Sequence, residues 1–466
     1  MQKLDPLSEK DIPEPVPLKS LIGPSFILLG LGLGSGELIL WPYLSSNYGM
    51  GIIWGALLGI TFQFFLNMEI ARYTLVTGES VFVGLARKLG TIAPVWFILS
   101  TLIPWMWPGI IASCATLVAN MFGIEYSKYI GIALLLLIGA ILSLGSVVYK
   151  TQEKFQKAII MMGIPFVFLL AFYFTKENHW QDLAMGLVGK GESFWFLPPG
   201  IHLATFLGAF AYAGAGGNLN LAQSLYVKEK GYGMGKYSGR ITNILLGKKE
   251  DISLEGSTFE MTKQNLERFS IWWKRINMEH AIVFWATGAL TMIVLSLLAY
   301  STVYGREGLT TGINFVVHEG IVISQKTLPF IGTLFLGLSA LMLFGTQFSV
   351  FGSTSRIMAE NLCVLSKEKF KIQNLPKFFY TFLWLQIIAG IIIFMLGFTE
   401  PLGLVVTGAV LNAITMFIYS GLILWLNLTN LDRQLRPNLL RISAVLLAFI
   451  FYGTFSIFTI YSQLFS

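Results

Sequence analysis

Glu37 closes a glycine-rich run, Gly32-Leu33-Gly34-Ser35-Gly36, that has Leu and Ile on both sides. A carboxylate inside an apolar span is expensive in hydrocarbon and marks a functional position by default. It must be protonated, paired or ligating. A second run, Ala213-Gly214-Ala215-Gly216-Gly217-Asn218, interrupts another apolar stretch. Each glycine costs a helix about 1 kcal/mol. The clusters therefore predict that both spans unwind, near 33–37 and 213–218, and face each other near the membrane centre. Unwound backbone at that depth survives only where it lines a cavity or is buried in protein. Paired interruptions in corresponding positions of two halves point to the substrate site of a secondary transporter. Close helix packing is the other use of such glycines.

The chemistry on offer is that of hard oxygen. Ser35, Glu37, Tyr212, Asn218, Asn220 and Gln223 lie in or beside the two runs, and none of the 16 methionines does. Oxygen donors suit Mg, Ca or Mn, whereas softer ions want sulfur or imidazole. Freed carbonyls attract cations and half-helix N-termini attract anions. The candidate binding site is Gly34, Ser35, Glu37, Tyr212, Ala215 and Asn218, with Gln347 and Asn412 on later spans completing it or forming a gate. A metal ion would take the side chains of Glu37 and Asn218 and the backbone carbonyls of Leu31 and Tyr212. Arg72 is a conceivable structural partner for Glu37. Its spacing from Glu69, however, suits a pair on one helical face. Gln63 and Asn67, on the same helix, suit interhelical hydrogen bonds. Pro104 and Pro108, flanking Trp105 and Trp107, predict a kink or break in span three.

These residues need a membrane bundle to position them. Of 466 residues, 55% are hydrophobic and only 12% charged, with a mean hydropathy of +0.68. That charge fraction is about half the soluble norm. The pattern predicts an all-α polytopic membrane protein, one transmembrane domain over 1–466. Eleven spans are expected at about 20–44, 50–70, 93–118, 128–147, 156–175, 201–225, 280–301, 329–352, 378–397, 403–426 and 440–463. Runs in spans one and six fit an inverted five-plus-five repeat with an eleventh span added. Five of the 32 Lys and Arg (Lys128, Lys176, Lys190, Arg306 and Lys326) fall on one side, and the other 27 on the opposite side. This bias predicts a cytoplasmic N-terminus, with residues 1–19 as a tail, and an external C-terminus. The net charge of +7 is thus topological and gives no reason to expect nucleic acid. Cys114 and Cys363 are expected to be free thiols.

Residues 226–278 form a basic cytoplasmic loop. Within it LERFSIWWKRI, at 266–276, groups Leu266, Phe269, Trp272 and Trp273 near one helical face with Arg268, Lys274 and Arg275 around it. Such a helix lies on an anionic membrane surface or packs on the bundle.

The stretch from Gly23-Pro24 to Glu37, followed by QFFLNMEIARYTLVTGES at 63–80, resembles the start of the Nramp metal-ion transporters. That family has a GPG entry to span one, a DPGN break, and an arginine-bearing end of span two followed by VTG, here Val76-Thr77-Gly78. Asn218-Leu219 through Ser224-Leu225 matches the segment after its MPHN break. The resemblance implies a LeuT-type fold and divalent-cation transport, by a monomer with no cofactor beyond the transported ion. The departures are pointed. The family's aspartate falls at Gly34, its asparagine at Glu37, its methionine at Ala215, and its two histidines at Gly217 and Ala222. Loss of the thioether implies hard-ion selectivity, and loss of the histidines implies no strong proton co-transport. A second resemblance is carried by GSGELILWP at 34–42, which is similar to the start of amino-acid transporters of the same fold. It implies an anion or zwitterion, whose carboxylate Glu37 would repel. A sensor built on the fold is the third reading. No nucleophile elbow, phosphate loop or metal-hydrolase motif suggests an enzyme.

Overall fold

The computed structural model describes residues 4–17, 21, 23–144, 148–238, 253–308, 312–366 and 368–465. Long apolar helices dominate it, as the run lengths require. Among the described residues ten are long and apolar enough to cross a bilayer. The broken span six, Leu203–Ala211 and Ala222–Lys230, brings the total among the described residues to eleven. Their burial sorts the bundle into layers. Span one, Pro24–Tyr48, is wholly buried, and spans two (Trp54–Thr77) and eight (Pro329–Leu365) are mostly so. Spans four, five, nine and eleven are buried over 28–39% of their apolar windows. Their Leu136, Leu169, Ile388 and Leu447 point outward, as side chains facing lipid must.

Span three breaks at Met106–Pro108, between Ile92–Trp105 and Gly109–Phe122, where its prolines remove backbone donors. Two spans overrun their apolar stretches. Span eight continues past 352 to Leu365, and span seven is continuous from Lys263 to Val303, so it includes the amphipathic LERFSIWWKRI segment. That segment packs on the bundle. Phe269 and Trp272 are buried, and the Trp272 indole donates to the Pro13 carbonyl at 2.8 Å. Arg268 and Arg275 donate to the carbonyls of Ile12, Pro15 and Val16. The N-terminal tail is thus strapped across this end. Its Ser8–Glu9 pairs in parallel with Ser257–Thr258 of the basic loop. The middle of that loop, 239–252, lies outside the described residues.

The same end is closed by buried charge. Arg87 grips Glu79, Arg356 bridges Glu229 and Glu360, and Ser80 donates to Glu360. Both cysteines are buried and free.

Candidate functional site

Spans one and six meet backbone to backbone. A Cβ on Gly32 would lie 2.7 Å from the Gly214 carbonyl oxygen, and one on Gly36 would overlap the carbonyl oxygen of Tyr212. Glycine is the side chain that fits these two crossings. The two runs do face each other, as expected.

Span six unwinds between Ala211 and Ala222, with Gly216 and Gly217 both at positive φ. The lips of the break are held by span two. Gln63 donates from Nε2 to the Ala211 carbonyl at 2.9 Å and accepts from the Gly216 N–H at 3.3 Å. Among the described residues, nothing donates to the carbonyls of Tyr212, Ala213, Gly214 and Ala215. This is the irregular buried backbone that membrane depth permits only inside protein.

Span one differs from expectation. It stays helical from Pro24 to Tyr48, but Leu33–Leu40 is π-helical, with the Trp41 N–H reaching back five residues to the Gly36 carbonyl. The glycines widen the turn rather than unwind it, so the Leu31 carbonyl lies inside a continuous helix. The transition into the wide turn has a partner that the sequence did not disclose. The Thr346 hydroxyl of span eight donates to the Gly30 carbonyl and accepts from the Gly34 N–H, both at 2.8 Å. It replaces the bond that an α-turn would make between those two groups. Such π insertions concentrate at functional sites. Thr346→Val removes this bridge while keeping the shape. It leaves a buried donor and acceptor unmet at about 1–3 kcal/mol, and a clear fall in the midpoint of thermal unfolding in detergent is expected.

The candidate side chains fall into two groups around the crossing. Glu37 aims at spans two and seven. Its Oε1 lies 3.5 Å from where a Cβ on Gly288 would stand, a position also lined by Ile60 and Leu29. It is fully buried, and neither oxygen has a partner among the described residues. Arg72 is committed elsewhere, to Glu69 at 2.7 and 3.1 Å and to the Leu435 carbonyl. The predicted Glu69–Arg72 pair is therefore present, and Arg72 does not serve Glu37.

The second group aims at spans three and ten. Asn218 donates to Ser100 and Thr101, each at 2.9 Å. Thr101 gives its own proton to the Phe97 carbonyl, so it must accept, and this fixes the Asn218 amide with Oδ1 turned away and unpartnered. Tyr212 stacks on Trp105 and accepts from Asn412, whose own Oδ1 lies against Gly217. Ser35 is buried with its hydroxyl unpartnered, and Ala215 is buried within the break. Gly34 packs against Thr346. Gln347, beside Thr346, is buried on span eight. Unpaired oxygens thus flank both sides of one backbone crossing. The structure does not gather Glu37 and Asn218 on a single point. Among the described residues no group of three His, Cys, Asp or Glu side chains forms a metal centre.

This fold, eleven spans with a broken sixth helix against a buried first, is that of LeuT-type secondary transporters. A mutant of the manganese transporter of Eremococcus coleocola superposes with a TM-score of 0.68 at 13% identity, covering 98% of this chain and 90% of that one. Mhp1, a nucleobase-cation-symport-1 family transporter in a closed conformation with bromovinylhydantoin bound, gives 0.55 at 12% identity, over 100% and 98%. MhsT in complex with L-phenylalanine gives 0.52 at 13%, over 94% and 98%. These are membrane transporters, not enzymes. No family model and no curated protein matches the chain. At these identities the likeness establishes the fold of an integral, multi-pass membrane protein.

Proposed function

We propose that the chain is a secondary transporter, related to the Nramp metal-ion transporters, that carries a hard divalent cation such as Mg or Mn between spans one and six. The observation that carries this is Glu37, a fully buried carboxylate with no partner among the described residues. Asn218 Oδ1 and the carbonyls of the span-six break supply further oxygen. Every one of these groups is a hard acceptor, which is what a small divalent cation selects. Glu37 and Asn218 point to opposite sides of the crossing, so a shared ion requires span one to turn. The π segment provides the means. Passing one residue through a wide turn rotates a helix by about 100°. The N-terminus is cytoplasmic and the C-terminus external in this reading, and the working unit is a monomer.

The test is uptake into liposomes. Mg or Mn should compete as well as Cd or Zn. Ala215→Met, which restores a thioether in the break, should shift preference toward Cd. A strong Cd preference in the parent protein overturns the hard-ion reading, and an unchanged preference in the variant removes Ala215 from the ion's path.

A second reading has an observation of its own. The stacked Trp105 and Tyr212 rings, beside the unpaired oxygens of Asn218 and Asn412, form a wall that suits an organic cation or zwitterion. Thermal stabilisation of the purified protein separates the readings, because only a ligand that binds the native state raises the midpoint. Divalent cations should raise it, and amino acids should not.

A further inference from the structure

Far from this crossing, at the end of the bundle that carries the N-terminal tail, a cavity of about 370 Å³ opens beside the start of span eleven, Leu439–Phe465. Its walls come from spans two and seven and from the turn that precedes span eleven. Among the described residues three arginines line it, Arg72, Arg436 and Arg441, and no carboxylate does.

The charge arithmetic leaves a surplus. Glu69, fully buried, pairs with Arg72 at 2.7 Å and with Arg441 at 3.4 Å. One carboxylate thus answers two guanidiniums. Arg441 spends its other arm on the Asn277 side chain, and the Trp273 ring lies under both Arg72 and Arg441, at 3.9 and 4.7 Å. Arg436 is exposed, and only its Nε is engaged, by the Leu431 carbonyl. Its two terminal nitrogens are free among the described residues. Asp432, the acid in the adjoining turn, is turned to the Gln434 N–H.

A helix start adds to this field. Span eleven begins in the cavity wall, where Asn438 caps the Arg441 N–H at 3.1 Å. The Leu439 and Leu440 N–H groups remain for a ligand, at the positive end of a 27-residue helix. Guanidinium forks and a helix N-terminus together select phosphate.

The surroundings say where that phosphate comes from. Leu439 and Leu440, the first residues of span eleven, are 82% and 69% exposed, and Leu446 and Leu447 continue the apolar face along the helix. The cavity therefore stands where the lipid-facing surface of a span begins. We propose that it holds the phosphate of an anionic phospholipid, with the headgroup between Arg436, Arg441 and the start of span eleven and the acyl chains along Leu439 and Leu447. Basic pockets between spans are suited to such headgroups. The bound lipid supplies the negative charge that Glu69 leaves owing.

Native mass spectrometry on the full chain tests this without reference to transport. Protein exchanged into phosphatidylcholine and then offered phosphatidylglycerol should retain one anionic lipid in preference. Arg436→Gln should weaken that retention by about fivefold, the worth of one arginine near a charged surface. Ser270→Glu, at an exposed position in the cavity wall, should abolish it without touching the Glu69 pairs. Equal retention of both lipids, or no effect of either substitution in folded protein, overturns the proposal. So does displacement of phosphatidylglycerol by inorganic phosphate at low millimolar concentration, which would make this a site for a free anion.

Discussion

Gly36→Ala is expected to give a chain that does not assemble its core. The added methyl would overlap the carbonyl oxygen of Tyr212, and the next atom it meets is the Tyr212 carbonyl carbon, 2.5 Å away. Both belong to backbone, so no rotamer change makes room. Overpacking a core with flexible neighbours costs about 1–3 kcal/mol, and this crossing has none of that flexibility. Span six cannot retreat easily, because Gln63 ties both lips of its break and Asn218 ties the far side to span three. The variant should elute as aggregate in size-exclusion chromatography or unfold well below the parent. Gly337→Ala is the control. There the new methyl meets only the end of the Met121 side chain, at 3.4 Å, and the midpoint should hold. A Gly36→Ala protein that is monodisperse with the parent midpoint would mean that spans one and six stand further apart than the structure places them.

The glycine runs were legible because backbone contact leaves a compositional trace. That the two runs face each other could be read from sequence, since close approach of two apolar helices admits little else. What sequence could not show is how each run answers its missing side chains. Span six has Gly216 and Gly217 in succession at positive φ, and a helix cannot continue through them. In span one the glycines alternate with Leu33 and Ser35, and helical φ remains open to every residue, so the helix widened instead. Thr346 was hidden for a different reason. A threonine in an apolar span usually bonds back to its own helix, as Thr302 does to the Leu298 carbonyl. Nothing in the sequence separates the one that bonds across. The overruns of spans seven and eight had a similar cause. Their ends, around Trp272 and Arg356, are polar but buried by tail and loop contacts that hydropathy does not register. Asn218 and Asn412 were found by type alone, and their division from Glu37 is a matter of which face of the crossing each one takes.

Glu37→Gln should remove substrate binding and leave a protein at least as heat-stable as the parent. The two expectations follow from one geometry. Gln keeps the shape of the side chain, so its place beside Gly288 is preserved. No ion pair is lost, because neither oxygen of Glu37 has a partner among the described residues. An unpaired charge at this depth costs several kcal/mol, and the amide carries none. A residue that burdens the empty protein and is nevertheless present serves the loaded one. In the divalent-cation reading the ion supplies the missing charge, and the amide offers it a single neutral oxygen. Transport should then fall by two orders of magnitude or more, since about 3 kcal/mol is a small part of a direct charge contact in a dry site. The measurement has two arms on the same preparation, thermal unfolding without ligand and Mn uptake into liposomes. A raised or equal midpoint with lost uptake makes Glu37 a ligand. A lowered midpoint with lost uptake would make it a structural group whose partner the loaded state supplies. Parent-level uptake would place the substrate elsewhere, on the Asn218 and Asn412 side of the crossing, where the Trp105–Tyr212 stack favours an organic solute.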